Sequence, residues 1–178
     1  MSRTKYLPKS GRISGKKKLS VRPIFAPGPG RTLSQRFCQS RPLDKKVCTL
    51  GNPRNCKICP IITNGTCAQR NVVYRVDCQL CPTSQQFYEG ETYRPCHDRF
   101  AEHIRAANNP ASYPNNAVSK HYSDCHVNCV SSKLSFTILY RQSSTARRKI
   151  SEAIMISKHE PNINVREELV ETMKFMLH

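Results

Sequence analysis

The cysteines constrain this chain more than any other feature. There are ten in 178 residues, and two pairs, Cys56-Lys-Ile-Cys59 and Cys78-Gln-Leu-Cys81, have the spacing at which both thiolates can close on one tetrahedral metal ion. The apolar share is 38% and tryptophan is absent, so the hydrophobic core should be modest and in need of a second source of stability. A structural zinc ion supplies ~10 kcal/mol or more in small peptides. Disulfides are the rival use of cysteine, and they require an oxidising compartment. The start MSRTKYLPKSG lacks the apolar stretch of a secretory signal, and no later apolar run approaches the ~20 residues of a membrane span. The expectation is a soluble, intracellular protein whose clustered cysteines are metal ligands.

Cys48, Cys56, Cys59 and Cys67 place seven residues on either side of the central pair and read as an all-thiolate zinc cluster, with Cys38 able to substitute for one member. Cys78 and Cys81 need two further ligands. His121 and His126 are the first choice, and Cys125 and Cys129 are close enough to replace one of them. The 39 residues between Cys81 and His121 rule out a simple DNA-reading finger, in which that gap is about 12. Zinc there would staple a turn to a distant helix. Cys96 reads as a buried helix residue.

The formal charge of +17 is unevenly spread. Residues 1–50 hold thirteen Lys and Arg against one acid, Asp44, whereas residues 51–178 hold sixteen against eleven. A basic arm on a nearly balanced body suits a polyanion, because each phosphate neutralised releases counterions. Solubilising the chain or carrying a targeting signal is the plainer use of such a tail.

Composition and periodicity divide the chain into four. Residues 1–37 are basic and rich in Ser, Pro and Gly, which predicts a disordered arm. Residues 38–70 form a cysteine-rich knuckle with little regular periodicity. Residues 71–164 carry the elements of a compact α/β unit. Strands are expected over 71–77 (NVVYRVD) and 85–90, and a helix from about Arg94 with Thr92 as its cap. A short helix over 117–122, a third strand over 134–140 and a helix from Ser143 or Ser144 through Lys158, closed by Pro161, complete it. Residues 165–178 form an amphipathic helix with Leu169, Val170, Met173 and Leu177 on one face.

The chemistry-bearing residues sit on those elements in a fixed order: VVY at 72–74, YEGET at 88–92, HDRFAEH at 97–103 and SEAIMISKHEPNIN at 151–164. Over residues 71–164 this resembles the GIY-YIG nuclease signature, in the version found in Penelope-like retroelements. The resemblance implies an α/β fold with a short, mainly antiparallel three-stranded sheet flanked by helices and stapled by zinc. It implies Tyr74 and Tyr88 as the signature tyrosines, Arg99 as the phosphate-facing arginine, His103 as its companion, Glu152 as the ligand of a catalytic Mg²⁺ or Mn²⁺, and Asn164 in a structural role. It also implies a Cys78, Cys81, His121, His126 zinc site inside the nuclease, DNA as substrate, a nuclear location, and element RNA or a reverse transcriptase as further partners.

The residue chemistry agrees with such an activity. Phosphodiester hydrolysis needs charge neutralised on the non-bridging oxygens, a water deprotonated and a leaving oxygen stabilised. Arg99 offers a planar fork matched to phosphate. Glu152 could hold one Mg²⁺ whose remaining shell is water and substrate oxygen. Tyr74, with an ordinary pKa near ~10, would need that value lowered by neighbouring cations to serve as a base. Otherwise it orients water. His103, four residues after Arg99 and so on the same helix face, is the rival for proton transfer. Each residue also has a plainer role: strand tyrosines pack, Arg99 with Glu102 or Asp98 makes a solvated face, and Glu152 with Arg148 makes an ordinary i, i+4 pair.

Val72 and Val73 stand where the signature has Gly and Ile, and acidic Glu89 stands at a normally apolar strand position. Glu89 must face solvent, find a cation or destabilise the sheet, and it could add a metal-binding oxygen. These departures keep a second class open, a zinc-dependent nucleic-acid-binding module that does not cut. A third is a protein-interaction domain built on the carboxy-terminal helix.

Overall fold

The computed structural model describes residues 32–38, 48–82, 86–127, 129 and 132–164. Most of the basic arm and the amphipathic helix expected from residue 165 lie outside the described residues. Within them, no helix is long and apolar enough to cross a membrane.

β2 (Val72–Cys78) and β3 (Phe87–Thr92) form the hairpin expected from the β-branched and aromatic runs, pairing antiparallel with Tyr74 opposite Gly90 and Arg75 opposite Glu89. β4 (Leu134–Arg141) pairs antiparallel with β2 on its other side. The sheet is four-stranded rather than three-stranded, and mixed. A short β1 (Ile62–Asn64), lying in the stretch read as an irregular knuckle, pairs parallel with β4 and gives the order β1-β4-β2-β3. Three residues cannot display a period. Side chains specify the pairing instead: Asn64 donates through Nδ2 to the Ile138 carbonyl at 2.8 Å and accepts the Ile138 N–H at 2.8 Å, mimicking a ladder step.

Alternation along the strands divides the polar residues between two faces. Val72, Tyr74, Val76, Tyr88, Phe136 and Ile138 join the main core on one face with Phe100, which stacks on Phe136 at 4.2 Å between centroids. Phe100 belongs to α2 (Cys96–Asn108). This helix starts two residues later than expected. Thr92 accepts the Arg94 N–H through Oγ1 at 3.0 Å, and Pro95 is the residue that opens the helix. α3 (Ala117–Cys125) follows, capped by Asn116, which accepts from the N–H groups of Val118 and Ser119.

The opposite face carries Val73, Arg75, Phe87, Glu89 and Glu91, against α4 (Thr145–His159). Ser144 caps that helix, and Glu160 ends it in the left-handed region at φ 48°, just before Pro161. A five-residue helix, α1 (Leu33–Phe37), forms within the segment expected to be disordered arm. It is tied down because the Phe37 carbonyl accepts from Gln142 Nε2 and Ser151 Oγ, both at 2.8 Å.

Candidate metal centres and a candidate phosphate site

Both groups of metal-ligand residues converge. In Cys48, Cys56, Cys59 and Cys67, and again in Cys78, Cys81, His121 and His126, the four donor atoms lie within 4.8 Å of one another. Tetrahedral geometry with metal–sulfur bonds of 2.3 Å sets sulfurs about 3.8 Å apart. The Cys56–Cys67 and Cys67–Cys48 separations are 3.8 and 3.7 Å. For sulfur against histidine nitrogen the tetrahedral edge is about 3.5 Å. Nε2 of His126 lies 3.3 Å from Cys78 Sγ and 3.2 Å from Cys81 Sγ, and Nε2 of His121 lies 3.5 Å from Cys81 Sγ. Each group therefore fits one tetrahedral metal ion such as zinc.

The surroundings favour thiolate at one cysteine of each group, Cys56 and Cys78, and oppose it at Cys48, Cys59 and Cys81. The Thr49 N–H donates to Cys67 Sγ at 3.3 Å. Burial raises Cys56, but N–H donors at Cys59 and Ile58 with the neighbouring thiols outweigh it and bring the pKa to about 7. Burial likewise raises Cys78, but His121, Tyr122 and the Leu80 N–H bring it down to about 6, while Cys81, buried beside that charge, rises to about 11. Such divergence is what crowded acids do when their charges must be shared, and a divalent cation relieves it. Cys38 sits instead beside Tyr140, Cys96 is fully buried on α2, and Cys125 and Cys129 are exposed.

On the main-core face, residues from three elements, β2, β3 and α2, meet at the Tyr74 hydroxyl. Arg99 Nε donates to it at 2.9 Å, and it lies 2.8 Å from His103 Nε2. The phenol oxygen thus accepts a hydrogen bond from Arg99 and shares a second with Nε2 of His103, whose other ring nitrogen is Nδ1. That buried Nδ1 has no hydrogen-bond partner among the described residues. The Tyr88 ring closes the group, 6.4 Å from Tyr74 and 5.3 Å from His103 between centroids. Gly90 makes the convergence sterically feasible: a Cβ there would lie 2.9 Å from the Tyr88 hydroxyl and 3.0 Å from that of Tyr74.

His103 differs from its expected role. It is 1% exposed, deeper than Ile104, and burial followed by the charge of Arg99 pushes its pKa down to about 3. It is a neutral core histidine, poorly suited to the proton transfer for which it was the rival candidate. Tyr74 differs too. Burial raises its phenol by more than Arg99 lowers it, and the Glu152 carboxylate raises it further, so it stays protonated. This effect on Tyr74 ties Glu152, half-buried on α4, to the group.

Arg99 carries the available charge. Burial opposes its ionisation, yet Tyr74, Tyr88 and Glu102 more than offset that, and it remains a cation. Glu102 accepts both forks of Arg94 at 2.5 and 2.6 Å and one bond from Arg99 Nη1 at 3.2 Å. One carboxylate thus serves two guanidiniums, and the Arg99 side chain is 25% exposed. Glu102 and Arg94 have no assigned role in the sequence reading. Their signal was the i, i+3 spacing of Arg99 and Glu102, which looked like any solvated helix face.

Two other expectations are resolved on the opposite face. Glu89 is fully buried and finds a partner, with Oε1 2.7 Å from His159 Nδ1. Arg148 is buried and bonds Glu91, Asn71 Oδ1 and the Gln142 carbonyl, rather than serving as a simple surface partner for Glu152. Asn164 takes a structural part: it accepts the Glu89 N–H and donates to the Glu89 carbonyl, both at 2.8 Å. No family model matches the chain, and no curated protein or solved structure matches it.

Proposed function

We propose that this chain is a zinc-braced, metal-dependent DNA endonuclease of the GIY-YIG type, derived from a Penelope-like retroelement. The observation that carries the reading is the meeting of Arg99, His103 and Tyr74 on one hydroxyl, beside Tyr88 and a glycine whose missing side chain leaves room. Packing alone does not require a guanidinium that is partly exposed to be held by a buried phenol.

In this reading Arg99 neutralises charge on the scissile phosphate, held at a fixed angle by Tyr74 and Glu102. Tyr74, kept as a phenol with His103 on its hydroxyl, holds Arg99 in place, while the attacking water gives its proton to bulk solvent and the leaving oxygen takes one from it. Glu152 holds a Mg²⁺ or Mn²⁺ ion, which supplies Lewis-acid stabilisation of the leaving oxygen when bound. Zinc fills the two tetrahedral clusters, and the basic arm adds affinity for DNA in the nucleus, where element RNA or a reverse transcriptase are further partners.

A second reading, a zinc-dependent nucleic-acid-binding module without cleavage, is favoured by one observation: neither Tyr74 nor His103 is a strong base at neutral pH. A plasmid-nicking assay of zinc-loaded protein, with and without Mg²⁺, separates the two. Nicking that requires Mg²⁺ and disappears in Glu152→Ala and Arg99→Ala is the expected result. DNA binding without nicking in the wild type selects the binding module.

A further inference from the structure

We infer that the upstream thiolate cluster is the N-terminal cap of α2, so that a metal ion at Cys48, Cys56, Cys59 and Cys67 sets the placement of Arg99 and His103. The first amides of a helix lack partners within it and normally take them from a capping side chain. Pro95, at the cap position, offers none. The knuckle fills the gap with its backbone: the Cys96 N–H donates to the Gln69 carbonyl and the His97 N–H to the Cys67 carbonyl, both at 2.7 Å. The Asp98 and Arg99 N–H groups then turn back to the Pro95 carbonyl at 3.1 and 3.3 Å. Cys67 is thus a metal-ligand residue through its sulfur and a helix cap through its carbonyl.

The link between the two is stiff. Cys67 is wholly buried and Gln69 is 2% exposed. Gln69 Oε1 accepts the Thr66 N–H at 3.1 Å, closing the turn that leads into the cap. Gly65 begins that turn at φ 81°, and a Cβ on it would lie 2.2 Å from Gln69 Oε1. One residue earlier, Asn64 is locked to the backbone of Ile138. The chain from β4 through the knuckle to α2 is therefore fixed at each step, and Arg99 and His103 lie one and two helical turns beyond it. The downstream group braces a different element, joining the β2–β3 turn to α3. The bracing stands on its own, and only its consequence for phosphate chemistry rests on the function proposed above.

Amide hydrogen exchange on the full zinc-loaded chain, with metal content measured in parallel, tests this. Cys59→Ser should lose one zinc equivalent, and the amides of Cys96 and His97 should exchange on the order of tenfold or more faster while Val76 in β2 is unchanged. Loss of zinc with unaltered exchange at Cys96 and His97 would overturn the inference. If Cys59→Ser accelerates exchange everywhere, Gly65→Ala decides, because it keeps all four thiols. Selective acceleration at Cys96 and His97 supports the brace, whereas no change or uniform acceleration overturns it. A wild type that does not nick DNA yet shows the selective change would retain the brace and remove the nuclease.

Discussion

The two faces of the sheet hold similar residues and use them in opposite ways. On the α4 face each acid has a partner of its own: Arg148 with Glu91, His159 with one oxygen of Glu89, and Arg75 with Asp77 at 2.6 Å, the last guanidinium also lying 3.6 Å above the Phe87 ring. On the α2 face one carboxylate, Glu102, is divided between Arg94 and Arg99, and the remaining partner of Arg99 is the neutral phenol of Tyr74. A matched buried pair closes a surface, because its charges are already satisfied. An arginine held by neutral and shared acceptors is oriented but not neutralised, which is the condition for binding an anion. Burying polar groups is common to both faces. What differs is how the acceptors are shared, one to each donor on the α4 face and one between two arginines on the α2 face.

The largest expected effect tests what lies beneath both faces. With zinc in both clusters, a chelator should unfold the body, since structural zinc contributes ~10 kcal/mol or more in small peptides. Circular dichroism that stays unchanged after metal loss would show that the sheet stands without the clusters.

Next comes a pair of arginine substitutions chosen to separate the faces. Arg148→Met leaves Glu91 without its buried partner and should cost ~3–5 kcal/mol in urea denaturation. Arg99→Ala should cost little stability but reduce nicking by ~10²–10³, the scale of losing one preorganised charge donor. If Arg99→Ala destabilises as much as Arg148→Met and the surviving folded fraction nicks normally, the contrast fails.

Gly90→Ala should act on one face alone. Its methyl would crowd the Tyr74 and Tyr88 hydroxyls, at about 1–3 kcal/mol for overpacking, and weaken phosphate binding with it. Unchanged stability and salt-dependent DNA affinity would mean that the hydroxyls do not need that space.

The smallest effects are in the pH profile, and the two faces should pull it in opposite directions. His103 has a folded pKa of about 3, below its ordinary 6.5, so the unfolded chain takes up a proton that the folded one does not. Its contribution is present above 6.5 and is lost as pH falls from 6.5 toward 3. For Glu89, burial exceeds the pull of His159 and raises the carboxyl above its ordinary 4.5, so its contribution is present below 4.5 and is lost as pH rises through the higher folded value. Urea midpoints measured against pH should therefore flatten on the acid side in His103→Phe and on the neutral side in Glu89→Gln. Equal profiles for both variants and the wild type would remove the assignment.

The sequence by itself determined what depends on neighbours in the chain. The Cys-x-x-Cys spacing and the donor chemistry of His121 and His126 put both ligand groups first, with Cys38, Cys125 and Cys129 left as alternatives that the structure sets aside. β-Branched runs, a serine cap and Pro161 marked most elements to within a few residues. Signature order singled out Tyr74, Tyr88, Arg99, His103 and Glu152. Only the tertiary structure decided what depends on residues brought together from a distance. β1 exists because Asn64 meets Ile138, 74 positions away. His103 is neutral because Tyr74, Phe136 and the sheet bury it, and Glu89 is tolerated because His159 reaches it from the far end of α4. Spacing specifies which atoms can share an ion, but the charge state of a side chain is set by the solvent it loses and the partners it gains, and both come from packing.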